Sequence, residues 1–132
     1  MTDRFHESLH DIPELAEVAA TAAVAKGGER TVIMEVGELL GITDAFVITS
    51  GRNSRHVRTI VEHIERTLKV SNGTPPLQVE GDDDYRWVLL DYGDFLVHVF
   101  LEETRDYYDL ERLWGDAPCI LWEDTLARSA RG

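Results

Sequence analysis

A strand that runs directly into an amphipathic helix is the feature that most constrains how this chain can fold. Residues 44–50 are mostly apolar or β-branched, and residues 51–54 (Gly-Arg-Asn-Ser) are typical of a tight strand-to-helix turn. In residues 54–69 the apolar side chains recur at the spacing of one helical face: Val57, Ile60, Val61, Ile64 and Leu68. Such a helix is stable only when that face covers an apolar surface. The pattern therefore predicts a helix packed on a sheet.

Periodicity and turn residues predict the other elements. A first helix is expected to start with Asp11 as cap, Pro13 in its first turn and Glu14 completing a capping box, and to end at residues 27–28. A last helix is expected at residues 104–113, and the strands are expected at residues 30–36, 44–50, 77–80, 86–91 and 95–101.

These elements predict one α/β domain, a mixed β-sheet of about five strands with helices packed on it. The domain is expected to span residues 11–122, between a flexible N-terminus (1–10) and a flexible C-terminal tail (123–132).

Acidic residues are concentrated in one stretch of the chain. The net charge is −12, and residues 80–116 hold twelve carboxylates against three cations. This surplus would repel a phosphate backbone, so no direct sequence-specific binding of nucleic acid is expected. It would attract a basic protein. A solvated acidic surface that keeps the protein soluble accounts for the charge equally well, so charge alone leaves both interpretations open.

The sequence favours a cytoplasmic protein. No apolar run approaches the roughly 18 residues that a membrane span requires, so no membrane association is expected. The first residues, Met-Thr-Asp-Arg-Phe, lack the pattern of a signal peptide. Cys119 is the only cysteine, which excludes an intrachain disulfide; a buried, inert thiol is expected there.

Candidate catalytic groups do not combine into a recognisable site. The five histidines share no metal-binding motif, and His98 is expected to be a core residue. Residues 50–55 could hold a phosphate, with helix capping as the alternative role, but they match neither a P-loop nor a dinucleotide motif. Residues 82–84 (Asp-Asp-Asp) lie in an expected turn, and Asp91 and Asp94 flank a hairpin, so no carboxylate pair projects from a strand. No metal or cofactor is expected.

Residues 87–117 carry a resemblance to a known family. The segment WVLLDYGDFLVHVFLEETRDYYDLERLWGDA is similar to the signature of the RsfS, or Iojap-like, ribosomal silencing factors. Residues 42–48, 50–51, 54–57 and 79–81 also resemble that family, so the resemblance runs in matching order over roughly residues 10–117. Glu35 departs from the family, which often has aspartate there.

The resemblance implies a fold, a partner and an effect. The fold is that of nucleotidyltransferases without their active site, so no enzymatic activity is expected. The implied partner is ribosomal protein L14 of the large subunit, at the face where the small subunit joins. Occupying that face would block subunit joining and repress translation, for example in starvation. The family also commonly forms homodimers when free.

Strand alternation selects the residues suited to such a contact. In residues 86–91 it places Trp87, Leu89 and Asp91 on one sheet face, with Val88 and Leu90 directed toward the helices. The first three form a plausible hot spot, an amphipathic anchor beside an apolar and a charged neighbour. A buried core row is the alternative. Polar rim contacts are expected from Glu80, Tyr92, Asp94 and Asp116.

The last predicted helix carries two further expectations. Arg105 is expected to tie that helix to the sheet. The other residues expected on one helical face are Tyr107, Leu110, Leu113 and Trp114, which are expected in the core, with a partial dimer or ribosome contact as the alternative. Two other functions stay open: a nucleotidyltransferase-related nucleotide-binding protein, and a dimeric adaptor with a non-ribosomal partner.

Overall fold

Six strands and six helices lie along residues 12–130, the part of the chain that the computed structural model describes. In chain order they are α1 (Glu14–Ala25), β1 (Glu29–Glu35), α2 (Gly37–Leu40), β2 (Ala45–Gly51), α3 (Ser54–Asn72), β3 (Gln78–Glu80), β4 (Trp87–Asp91), β5 (Phe95–Leu101), α4 (Glu102–Tyr108), α5 (Leu110–Leu113), β6 (Cys119–Leu121) and α6 (Trp122–Ala130). None of these helices is long and apolar enough to cross a membrane.

The strands form one mixed sheet in the order β3-β4-β5-β2-β1-β6. The central pair β2 and β5 is parallel, with Val47 opposite Val97, and the other neighbouring pairs are antiparallel. A mixed sheet in an α/β domain was predicted, and the five predicted strands are present within two residues of their expected bounds. The sixth strand, β6, was not predicted.

The β2–α3 unit forms as its sequence predicts. All seven residues of β2 are buried, and the apolar stripe of α3 is buried as well. The turn between them is very tight, because a Cβ on Gly51 would lie 3.0 Å from the backbone nitrogen of Val57. The Asn53 side chain caps α3 by accepting a hydrogen bond from the backbone nitrogen of His56 at 2.8 Å.

Helices α1 and α3 cover one face of the sheet. Four fully buried alanines of α1, namely Ala16, Ala19, Ala20 and Ala23, belong to this core cluster together with the α3 stripe. Their small side chains let α1 lie close to its neighbours. A second, smaller cluster lies on the opposite face and includes Met34, Phe46 and Phe100, with Trp87 and Trp114 packed against it.

Two predicted helices differ in their bounds. The expected helix at residues 104–113 is divided into α4 and α5 by Asp109, whose φ of +52° interrupts the α-helical backbone. The first helix begins at Glu14, preceded by Pro13, and no side chain among residues 12–130 caps it. The expected cap, Asp11, and the expected flexible segment 1–10 lie outside the described residues.

The segment expected to be a flexible tail from residue 123 lies in helix α6 as far as residue 130. Strand β6 pairs antiparallel with β1, placing Ile120 opposite Ile33, and α6 follows at once. Trp122 Nε1 donates a hydrogen bond to Thr21 Oγ1 at 2.9 Å, and the backbone nitrogen of Thr31 donates to Glu123 Oε1 at 3.2 Å. These contacts tie the tail to α1 and β1, residues distant in sequence that local periodicity does not reveal.

Candidate protein-binding surface

Strand β4 presents one row of side chains away from α1 and α3. Its burial alternates as predicted: Trp87, Leu89 and Asp91 are half-buried, whereas Val88 and Leu90 are fully buried beneath the helices. We call these three half-buried residues the β4 row. Because β4 is next to the edge strand β3, the row lies near one border of the sheet. The row is neither fully exposed nor sealed in the core.

The indole of Trp87 is held in a defined orientation. Its Nε1 donates a hydrogen bond to His98 Nδ1 at 3.1 Å, across the β4–β5 pair. Its ring also packs against Phe100 and Tyr108, each with a centroid separation of 4.8 Å. Trp87 is therefore an ordered and partly accessible aromatic side chain, which suits an interface anchor because little side-chain entropy remains to be lost on binding.

His98 is a core residue, as expected, and is only 6% exposed. Burial lowers its pKa to about 4, so the ring is neutral at physiological pH and Nδ1 can accept the indole hydrogen. Nε2 then carries the ring proton, and this buried atom has no hydrogen-bond partner among the described residues. The Phe46 ring lies edge-on to the imidazole, with a centroid separation of 4.7 Å.

Asp91 shapes the hairpin between β4 and β5. Its Oδ1 accepts a hydrogen bond from the backbone nitrogen of Gly93 at 2.8 Å, and the Tyr92 nitrogen donates to the Phe95 oxygen at 3.0 Å. Gly93 has a φ of +88°, a conformation that glycine adopts without strain. This local bond engages one carboxylate oxygen of the half-buried side chain. Asp91 thus has a structural role that the strand pattern alone did not indicate.

Three of the four expected rim residues are exposed: Glu80, Asp94 and Asp116. The fourth, Tyr92, is a correction to the predicted surface. Its side chain is only 9% exposed and stacks on Phe95 with a centroid separation of 5.1 Å. Strand alternation continues one residue past β4, so Tyr92 lies on the helix-covered face with Leu90. Burial raises the pKa of Tyr92 to about 12.

The expected helical face on the last helix is only partly in the core. Leu110 and Trp114 pack against the second cluster, whereas Tyr107 is 81% exposed and Leu113 is 69% exposed. The break at Asp109 causes this difference, because α4 and α5 no longer share one helical axis. The two exposed side chains lie on a surface with Tyr108, whose ring packs against Trp87.

Arg105 fastens α4 to the sheet, which confirms its predicted role. Its side chain is 1% exposed, and Nη2 lies 2.7 Å from Glu111 Oε2. Nη1 donates to the backbone oxygen of Glu29 at 3.0 Å and to Ser50 Oγ at 3.1 Å, and Nη2 donates to the Arg30 oxygen at 2.6 Å. These bonds hold α4 beside β1 and β2 and so position its exposed tyrosines.

Residues 50–55 act as a helix cap. Ser50 Oγ donates to the Glu29 oxygen, and the Arg52 backbone nitrogen donates to His56 Nδ1 at 3.0 Å. With the His56 nitrogen bonded to Asn53, two amides at this turn already have protein partners. Within residues 12–130, no group of three or more His, Cys, Asp or Glu side chains is arranged to hold a metal ion.

The whole described domain matches one family of proteins. Residues 9–131 match the family described as RsfS, ribosomal silencing factor during starvation. The chain belongs to the RsfS family.

RsfS relatives agree in sequence and in fold. The ribosomal silencing factor RsfS of Halalkalibacterium halodurans is 35% identical over 114 residues, which cover 86% of this chain and 97% of that protein. A crystal structure of a protein from Chromobacterium violaceum shares the fold with a TM-score of 0.75 and 31% identity, over 80% of this chain and 88% of that one. A mouse relative, "Mitochondrial assembly of ribosomal large subunit protein 1", is 34% identical over 84 residues, or 62% of this chain and 37% of that protein.

Two residues of this RsfS-family surface were not singled out as site residues from the sequence. His98 was assigned to the core without a role toward Trp87, and Tyr108 was not selected at all. Cross-strand pairing places His98 opposite Leu89, diagonal to Trp87 and on its face of the sheet, a relation that a predicted β4–β5 hairpin could have indicated. The contact of Tyr108 with Trp87 depends on how α4 lies beside β4, which the sequence does not indicate.

Proposed function

We propose that this protein is a ribosomal silencing factor that binds the large ribosomal subunit and represses translation without catalysing a reaction. Membership in the RsfS family supports this function, and so do the relatives named as ribosomal silencing factors. The name of the mouse relative refers to the same ribosomal subunit. We further propose that the protein acts in the cytoplasm, where it would meet free large subunits.

The proposed contact is ribosomal protein L14, and the observation that carries it is the β4 row. Trp87 offers an ordered and partly accessible ring, Leu89 an apolar neighbour and Asp91 a negative charge. These are the properties of an interface centre. Glu80, Asp94 and Asp116 would form an acidic rim that attracts basic groups of the ribosomal protein. Tyr92 is not part of this proposed surface because it is buried.

The proposed mechanism is steric. A domain of 14.9 kDa bound at the face where the small subunit joins would occupy space that the joined ribosome needs. No bond is made or broken in this mechanism, so it requires no cofactor. The degree of repression would follow the fraction of large subunits that carry the protein, which mass action sets.

Co-sedimentation with purified large subunits tests this function. The native protein should travel with free large subunits and should reduce the formation of joined ribosomes when small subunits are added. Trp87→Ala should weaken binding by about 2 kcal/mol or more, which corresponds to a factor of about thirty, because the proposed anchor is removed. Asp91→Asn should weaken it less, because the amide oxygen can still accept the Gly93 hydrogen bond while the charge is lost.

A matched control uses Trp122, which lies on the opposite side of the sheet beside α1. Trp122→Phe should leave subunit binding unchanged. If Trp87→Ala and Asp91→Asn together bound as tightly as the native protein, the assignment of the β4 row would be wrong. If the native protein failed to sediment with large subunits at all, the function itself would be wrong.

Nucleotide binding is the alternative from another functional class. The backbone amides of Arg52 and His56 already donate to protein atoms, which leaves fewer donors at this turn for a phosphate. Isothermal titration calorimetry with the common nucleotides and Mg²⁺ checks this point, and we expect no heat of binding. A pull-down dominated by proteins other than those of the large subunit would instead favour a non-ribosomal adaptor.

A further inference from the structure

Two exposed tyrosines adjoin the β4 row and enlarge its aromatic surface. The rings of Trp87 and Tyr108 have a centroid separation of 4.8 Å, and those of Tyr108 and Tyr107 meet edge to face at 5.0 Å. Tyr107 is 81% exposed and Tyr108 is 51% exposed. These three neighbouring and partly solvent-exposed rings form a surface suited to an amphipathic partner group.

The rings border a cleft of about 610 Å³ between the start of β4 and helix α4. We call it the aromatic cleft, and its lining residues include Asp84, Arg86, Trp87, Glu103, Tyr107 and Tyr108. The Leu101 nitrogen donates to the Arg86 oxygen at 2.7 Å, which joins the two walls at their base. The hydrogen bonds of Arg105 to β1 and β2 also hold α4 in place. The cleft is therefore formed before any partner binds.

The charge around the cleft is negative. Its lining holds two carboxylates, Asp84 and Glu103, and one guanidinium, Arg86, whose Nε lies 3.7 Å from Asp84 Oδ2. The Arg86 charge is thus offset by a neighbour. Helix α4 and its end add further exposed or half-exposed carboxylates, Glu102 and Asp109, whereas the charge of Asp106 is offset by Arg30, whose Nη2 lies 3.0 Å from Asp106 Oδ1. A nucleobase could stack on the rings, but the phosphate attached to it would be repelled by these charges.

We infer that the aromatic cleft binds the side chain of an arginine from a protein partner, with the guanidinium plane against the rings and its charge near Glu103. Arginine has the required properties, because its guanidinium stacks on aromatic faces and is less strongly hydrated than an ammonium ion. That the arginine belongs to a ribosomal protein rests on the proposed function. The ability of the cleft to bind arginine does not rest on that function and is tested separately.

A pair of small ligands tests the cleft directly. Heteronuclear NMR follows the Trp87 indole resonance, assigned with Trp87→Phe, during titration with N-acetylarginine amide or with its uncharged isostere N-acetylcitrulline amide. The arginine compound should shift the resonance at millimolar ligand concentrations. The citrulline compound should bind about 2- to 5-fold more weakly, because it lacks the positive charge that interacts with the rings and the carboxylates. Tyr107→Ala and Glu103→Gln should each weaken arginine binding by a similar factor.

Two control variants lie on the helix-covered side of the sheet. Val70→Ala removes an apolar side chain that is 82% exposed on α3, and Glu14→Gln removes an exposed charge on α1. Neither should alter arginine binding. Equal shifts with the two ligands, or no shift with either, would overturn the inference. Stronger binding of adenosine monophosphate than of the arginine compound would show a nucleobase site. Shifts that depended only on protein concentration would show a contact between two copies of the protein. Either result would also overturn the inference.

Sedimentation with large subunits separates the inference from the proposed function. Tyr107→Ala combined with Glu103→Gln should reduce the affinity for large subunits by about tenfold if the cleft contacts the ribosome. Unchanged affinity would show that no ribosomal arginine occupies the cleft, although the silencing function could stand. If the native protein did not bind subunits, the function would fail while the arginine titration would still decide the chemistry of the cleft.

Discussion

At the scale of single residues, His98 links the stability of the domain to pH. Its pKa in the folded protein is lowered to about 4, against 6.5 for an exposed histidine. The unfolded chain therefore takes up a proton below pH 6.5 that the folded protein accepts only near pH 4. The stability that the neutral ring contributes is fully present above pH 6.5 and is lost as the pH falls toward 4.

A comparison with His98→Gln measures this effect. Glutamine does not titrate, and its side-chain oxygen can accept the Trp87 indole hydrogen. Between pH 7 and pH 4 the native protein should lose about 3 kcal/mol more unfolding free energy than the variant, from the size of the pKa shift. Urea unfolding at a series of pH values gives both curves. Parallel curves would contradict a buried neutral imidazole.

Gly81 controls how closely the turn before β4 approaches that strand. Its φ is +85°, and a Cβ there would collide with the carbonyl oxygen of Trp87. Gly73 has a similar φ of +66°, but a Cβ at that position would point into open space, with no neighbouring side chain or strand within 4 Å. Gly73→Ala should cost about 1–2 kcal/mol of stability from backbone strain alone.

Gly81→Ala should cost about 1–3 kcal/mol more than Gly73→Ala, because the turn must also move away from β4. Thermal unfolding of the two variants under one set of conditions gives the difference. Gly81→Ala should also shift the Trp87 indole resonance, which Gly73→Ala should leave in place. Equal costs for the two variants would show that the turn yields without strain.

At the scale of elements, α4 depends on one buried cation. Arg105→Leu removes the bonds to β1 and β2 and leaves Glu111 without its partner at 2.7 Å. We expect a loss of about 3–5 kcal/mol in unfolding free energy, measured by denaturant titration. Arg112→Leu, at an exposed position on α5, serves as the control and should change stability by less than about 0.5 kcal/mol.

Elements with strong local signals were predictable from the sequence. The stripe of α3 and the alternation of β4 each repeat over enough residues to identify their buried sides. Strand β6 has only three residues and is stabilised by pairing with β1, some 85 positions earlier in the chain, so no local window reveals it. The break at Asp109 likewise depends on the backbone conformation of one residue.

The residues of the candidate site were likewise predictable only where a local sequence pattern determines their position. Trp87, Leu89 and Asp91 were placed correctly on one face because alternation decides that face. Tyr92 was misplaced because the strand pattern was not extended by one residue into the turn. The aromatic cleft was missed because it combines side chains from β4 and α4, and its shape depends on how those elements meet in space.

At the scale of the whole molecule, the uneven charge predicts how binding should respond to salt. With twelve carboxylates in residues 80–116, the acidic surface should accelerate encounter with a basic partner at low ionic strength. Raising the salt from 50 to 300 mM should lower the association rate constant with large subunits by about tenfold or more and change the dissociation rate much less. Surface-immobilised subunits with optical detection give both constants. A salt-independent association rate would contradict electrostatic steering.

We propose, in addition, that the free protein forms a homodimer. Size-exclusion chromatography with light scattering should give about twice the mass of 14.9 kDa at micromolar concentrations. A constant monomer mass up to the highest soluble concentration would exclude the dimer. Comparison of Leu113→Ser with the native protein would show whether the exposed side chain on α5 contributes to that contact.

The order of strands in the sheet has a consequence for biosynthesis. Strand β2 pairs with β5, about fifty positions later, and β1 pairs with β6, whose residues lie more than eighty positions later. Strands β1 and β2 pair with each other, but the second neighbour of each is translated much later. The sheet can be completed only after residue 121 has been translated, and closing these long loops should slow folding. The first strands of a factor proposed to act on ribosomes are thus made on a ribosome well before the edge strand β6 that completes their sheet.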